Sequence, residues 1–190
     1  GIDPEMLGHI FENLLEDNKD KGAFYTPKEI VQYMCENSIG QYLKTHLGNT
    51  FEPSINNLLR AKFVDEIVKD NAKQIYELLC KVRVCDPAIG SGAFPMGILN
   101  VLFQTRQLLY PYAKYKESFS LAGIKRDIIQ NNIFGVDIEQ GAVDIARLRF
   151  WLALVVDEEV PQPLPNLDYK IMCGNSQLYR YALKTPISEV

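Results

Sequence analysis

The sequence predicts an α/β chain: part of a parallel sheet with helical crossovers, preceded by a helical segment. Three observations carry this. Val82-Arg83-Val84-Cys85, Ile133-Phe134-Gly135-Val136 and Tyr169-Lys170-Ile171-Met172 are short strand-like runs. Stretches of helical period separate them, which is the order that builds a parallel sheet. Each run leads into a distinctive polar residue, Asp86, Asp137 or Asn175, and ligands of such sheets bind at the carboxyl ends of the strands.

The 190 residues suffice for a domain with a real core, and 47% hydrophobic with 23% charged residues is an ordinary globular composition. No stretch reads as a signal peptide or a membrane span, so the expected location is the cytoplasm. The formal net charge of -4 argues against a large basic nucleic-acid surface on this segment. It leaves open a DNA partner held by other parts of a longer protein. Cys35, Cys80, Cys85 and Cys173 form no C-x-x-C pair, and His9 and His46 lie far from them. Buried, reduced thiols are expected, with no metal site.

The elements follow in order. Asp3 and Pro4 open a first helix with Met6, Leu7, Ile10, Phe11, Leu14 and Leu15 at helical spacing, and Asp17 to Lys21 reads as a loop. Thr26-Pro27-Lys28-Glu29 has the form of a capping box, with Thr26 as the cap and Ile30, Val31, Met34 and Cys35 as the apolar face of the helix behind it. Ser54 to Cys80 reads as one or two helices. After the first strand and its glycine turn, a helix is expected from about Gly92 to Leu109, closed by Tyr110-Pro111. Another is expected from about Ser118 to Asn131. Gln140 to Val156 is a strong helix, and Pro161, Pro163 and Pro165 forbid regular structure. The expected division is a helical segment over 1–80 and a sheet-bearing unit over 81–190.

The chemistry sits at the strand ends. Gly90 and Gly92 permit a tight turn and close approach of the backbone to a ligand. The helix behind them offers N–H groups and partial positive charge to an anion such as an amino-acid carboxylate. Asp86 can accept from a nearby ammonium. The loop is no Walker A motif, because no Gly-Lys-Ser/Thr follows, and Pro95 stands where a dinucleotide fingerprint needs its third glycine. Asp137 suits the hydroxyls of a ribose, with Ile138 placed to pack on an adenine; a plain helix cap is the other reading. Asn175 suits an adenine edge or a simple turn. Lys125-Arg126 is too small a basic patch to claim DNA contact, Asp157-Glu158-Glu159 reads as a solvated cluster, and Tyr110, Tyr112, Tyr115 and Phe119 read as packing residues.

Taken together, these segments resemble the amino-terminal half of the DNA N6-adenine methyltransferases, above all the large type II/IIG restriction–modification enzymes. Gly22-Ala23-Phe24-Tyr25-Thr26-Pro27 resembles motif X, and Asp86-Pro87-Ala88-Ile89-Gly90-Ser91-Gly92-Ala93-Phe94 resembles motif I, where Ile89 replaces a usual cysteine. Gly135-Val136-Asp137-Ile138-Glu139 resembles motif II, and Cys173-Gly174-Asn175-Ser176 resembles motif III.

The resemblance implies a Rossmann-like fold with S-adenosylmethionine (SAM) as cofactor. Thr26 and the loop with Asp86, Pro87, Ala88, Gly90 and Gly92 would hold its methionine part, Asp137 its ribose, and Ile138 and Asn175 its adenine, with Phe94 a further cofactor-binding residue. The family's catalytic Asn/Asp-Pro-Pro-Tyr/Phe does not occur before Val190. The expectation is therefore a cofactor-binding portion without catalytic residues, inactive alone, of an enzyme that methylates double-stranded DNA through its other parts. A SAM-sensing or interaction module, and a fragment of a protein or RNA methyltransferase, are the alternatives. The first strand would lie at an open edge, which predicts self-association or capping of that edge by the chain's own residues.

Overall fold

A computed structural model describes residues 26–114, 120–157, 163 and 165–177. The expected first helix, the loop after it and Gly22 to Tyr25 lie outside the described residues. The elements are α1 (Lys28–Leu47), a short 3-10 turn (Asn49–Phe51), α2 (Glu52–Arg60), α3 (Glu66–Asp70), α4 (Ala72–Lys81), β1 (Val84–Asp86), α5 (Ala93–Ala113), α6 (Leu121–Asn131), β2 (Ile133–Asp137), α7 (Gln140–Val155) and β3 (Ile171–Cys173). The strands form one parallel sheet in the order β1-β2-β3. The chain is thus α/β with a helical preface. None of the described helices is long and apolar enough to cross a membrane.

Several elements differ locally from expectation. The Thr26 capping box does not form. Pro27 is the N-cap of α1, with φ -55° and ψ 143°, and no side chain caps the helix. Its carbonyl accepts from the N–H of Ile30 and of Val31, each at 3.0 Å. Thr26 thus falls one residue outside the position from which a hydroxyl reaches the first free amides. The buried stripe of α1 is Val31, Cys35, Ile39 and Leu43, a row of four-residue steps, whereas Ile30 and Met34 are about half exposed. The stretch from Ser54 to Cys80 divides into α2, α3 and α4. Asp65 marks one break, its side chain accepting from Val68 N–H at 2.8 Å as the cap of α3.

Helix α5 runs through Pro111 instead of closing at Tyr110. Both Pro111 and Gln107, whose carbonyl the proline cannot serve, are exposed, so water can satisfy that carbonyl. The helix ends where Lys114 turns left-handed at φ 53°. Strand β3 begins at Ile171 because Lys170 and Ile171 both donate to the Leu167 carbonyl at 2.9 Å, which makes Tyr169 and Lys170 a turn. Strand β1 likewise begins at Val84 rather than Val82.

One continuous hydrophobic core runs from α1 to β3, and includes Ile39 and Leu43, Leu58 and Leu59, Ile75 and Leu79, Ile98 and Leu102, Phe150 and Leu154, and Ile171. Asn132 ties its helical part to the sheet. Its buried side-chain amide donates to the carbonyls of Leu79, Cys80 and Val82 at 2.7–3.1 Å, and its main-chain carbonyl accepts from Val84 N–H at 2.8 Å. The two sheet faces differ. Ile133, Gly135 and Ile171 are buried on one. On the other, register places Cys85 beside Phe134 and Val136 beside Met172, with Cys85 and Met172 exposed, Phe134 and Val136 half-buried, and the Lys170 ammonium 4.5 Å over the Phe134 ring.

The cysteines also divide. All four are free thiols. Cys35 is buried and Cys80 half-buried, but Cys85 and Cys173 are exposed, contrary to the expectation of buried thiols. Cys85 lies on the sheet face opposite Ile133 and Gly135, and Cys173 ends β3, an edge strand among the described residues.

Candidate functional site

The loop between β1 and α5 is fixed from several sides. Gly90 and Gly92 take left-handed conformations, at φ 52° and 90°, which residues with a Cβ rarely adopt. A Cβ on Gly92 would also lie 3.1 Å from that of Ala146 on α7. Ile89 turns inward and is buried. Its N–H donates to the Val136 carbonyl at 2.9 Å, and its side chain fills the space above Gly135, where a Cβ would meet Ile89 Cδ1 at 2.3 Å.

The two strand-end aspartates meet at this loop. Asp86 Oδ1 accepts from Ala88 N–H at 3.0 Å. Asp137 Oδ2 accepts from Gly90 N–H at 2.8 Å, and its Oδ1 accepts from Glu139 N–H at 2.9 Å. Asp137 therefore supports the glycine loop as well as the turn into α7. Each carboxylate oxygen keeps a second acceptor site, so both can still take a ligand hydroxyl. Burial pushes the Asp86 carboxyl above its ordinary range; the Ala88 amide opposes this, and the negative charge of Asp137 adds to it. No side chain caps α5, which leaves its positive end directed at whatever occupies the loop.

The other predicted residues are placed as follows. Ile138 follows Asp137 and is 71% exposed, an apolar side chain offered to solvent at the strand ends. Pro87 and Ala88 are exposed, and Phe94 packs partly into the core. The end of β3 is joined to that of β2 by the Gly174 N–H, which donates to the Asp137 carbonyl at 2.8 Å. Asn175, one residue on, accepts from Gln177 N–H at 3.0 Å. It makes the turn that was its alternative reading, with its amide N–H₂ still able to donate. Thr26 is exposed, and none of the described contacts joins it to the loop. Its helix nevertheless reaches the site. Cys35 Sγ donates to the Phe94 carbonyl at 3.6 Å, and Gly97 brings α5 so close that a Cβ there would lie 2.7 Å from Cys35 Sγ. Burial, with the charges of Glu36 and Asp86 behind it, pushes the Cys35 thiol up to about 12.

No protein-family model matches the chain. It is 33% identical, over 92% of its length, to 16% of a protein of Methanocaldococcus jannaschii named as a type II restriction enzyme and methyltransferase. It is 25% identical over 75% of its length to the adenine-specific methyltransferase BrxX of Escherichia coli, and 28% identical over 68% to the adenine-specific methyltransferase PglX of Lacticaseibacillus casei. The chain is thus similar to proteins named as methyltransferases, two of them adenine-specific. It spans 16% of the first of these relatives and 13% and 11% of the other two.

The sequence motifs account for the loop and its aspartates but not for what lies beneath. Arg149 of α7 is buried and donates through Nη1 to the Ser91 carbonyl at 3.2 Å. The available signal was a pair of arginines, Arg147 and Arg149, in the mainly apolar stretch from Ile145 to Val155. Lys125 and Arg126 are structural. Lys125 pairs with Asp157 at 2.5 Å, so Asp157 is engaged rather than merely solvated, and Arg126 donates to the Pro163 carbonyl at 2.9 Å.

Proposed function

We propose that the carboxyl ends of β1, β2 and β3 bind SAM, and that the chain is the cofactor-binding portion of a site-specific DNA (adenine-N6) methyltransferase of a restriction–modification system. The observation that carries this is the junction of Gly90 and Asp137. A left-handed glycine loop, an uncapped helix N-terminus and two strand-end carboxylates meet at the carboxyl end of the sheet. The donor set fits a zwitterionic amino acid joined to a nucleoside. The uncapped start of α5, with Gly90 and Gly92, favours the carboxylate, and Asp86 the ammonium. Asp137 retains acceptor sites for the ribose hydroxyls. Ile138 offers an apolar surface to the adenine, and Asn175 an amide donor to its edge. Pro87, Ala88 and Phe94 shape the loop, and Thr26 contributes from the start of α1. When bound, SAM supplies the methyl group. The names of the relatives support the reaction class; double-stranded DNA as substrate of a longer protein and the cytoplasm as its location belong to the same proposal.

Calorimetric titration with SAM tests the reading. Saturable binding with one site per chain is expected; the absence of binding would contradict it. Among the described residues β1 is an edge strand, and Cys85 and Met172 are exposed on one sheet face; these support a second proposal, that the chain by itself self-associates. Sedimentation should show mass rising with concentration, and a monomer at all concentrations would contradict it.

A further inference from the structure

The underside of the glycine loop rests on one face of α7. Ala146 lies against Gly92, and Arg149, one turn further along the same face, reaches the Ser91 carbonyl. Ser91 stands between two left-handed glycines, a stretch of backbone with more freedom than any other part of the loop. Its carbonyl orientation sets the Ser91–Gly92 peptide plane, and Gly92 is the N-cap from which α5 begins. Arg149 is 7% exposed, so its hydrogen bond is shielded from competing water.

We propose that Arg149 is a positioning residue of the cofactor loop, holding the Ser91 carbonyl inward so that the N-terminus of α5 faces the carboxylate of SAM. The role rests on the SAM reading of the site. It makes a specific demand: Arg149 matters to the amino-acid end of the ligand and not to its nucleoside end, which Asp137 and Ile138 serve.

The test compares two ligands on the 190-residue chain: SAM, and 5′-methylthioadenosine, which lacks the amino-acid part. Arg149→Met is expected to weaken SAM about tenfold and 5′-methylthioadenosine less than about twofold, because the Ser91 carbonyl loses its charged donor and the start of α5 its fixed orientation. Arg149→Lys keeps the charge without the planar fork and is expected to show the same selectivity at about threefold. It decides the question if the methionine variant does not fold. Equal weakening of both ligands overturns the proposal, because general damage to the site does not discriminate between them. Unchanged SAM affinity also overturns it. A chain without substitution that binds neither ligand overturns the SAM reading itself, and this role with it.

Discussion

Asp86 carries two conflicting demands. Burial and the nearby Asp137 charge favour its neutral form, while an ammonium ligand needs the carboxylate. The conflict gives a signed prediction. A carboxyl whose folded-state pKa is raised binds its proton more tightly in the folded chain than in the unfolded one. The resulting stability is present at low pH and is lost as pH rises through the raised pKa. At neutral pH the charged Asp86 is therefore a cost to the fold. Asp86→Asn keeps an oxygen for the Ala88 amide and removes the charge. It should melt at a higher temperature than the unsubstituted chain at pH 7, yet bind SAM about tenfold more weakly through loss of a charge-assisted contact. For the unsubstituted chain, SAM affinity should rise with pH as Asp86 ionises. Thermal melts and titrations across pH check both parts, and a lower melting temperature for Asp86→Asn would refute the stability argument.

Loop and strand are coupled through a size exchange. Ile89 occupies the space a side chain at 135 would need, with 2.3 Å between an added Cβ and Ile89 Cδ1. Gly135→Ala should therefore cost about 1–3 kcal/mol by overpacking. Ile89→Ala should cost about 2–4 kcal/mol by leaving a cavity. Together they should cost less than their sum, with a coupling of about 1 kcal/mol or more. Urea denaturation of the two single variants and the double variant measures this, and additive costs would contradict the packing account. The exchange also explains how an isoleucine fits where the resembling family usually has cysteine: the residue facing it has no side chain. The sequence could not show this, because 46 positions separate Ile89 from Gly135 and only the pairing of β1 with β2 brings them together.

Across the whole molecule, what was legible in the sequence was periodic or local. The strand-like runs, the strong helix from Gln140 and the polar residues at the strand ends were readable because each is set by neighbours in the chain. Element ends were less so. The Thr26 cap failed by one residue because Pro27 remained outside the helix, and α5 passed through Pro111 because solvent can serve the carbonyl that the proline leaves free. Least legible were the long-range supports: Arg149 beneath Ser91, Ala146 against Gly92, and Asp137 on the Gly90 amide. These depend on how α7 lies across the sheet. That last contact makes Asp137 the residue on which the account turns, since it both holds the loop and is assigned the ribose. The most direct measurement is calorimetric titration of the chain and of its Asp137→Ala variant with SAM. The account predicts saturable binding by the first and affinity lower by about tenfold or more in the second, the loss of hydrogen bonds to a charged acceptor. Equal affinity in the two proteins would contradict it.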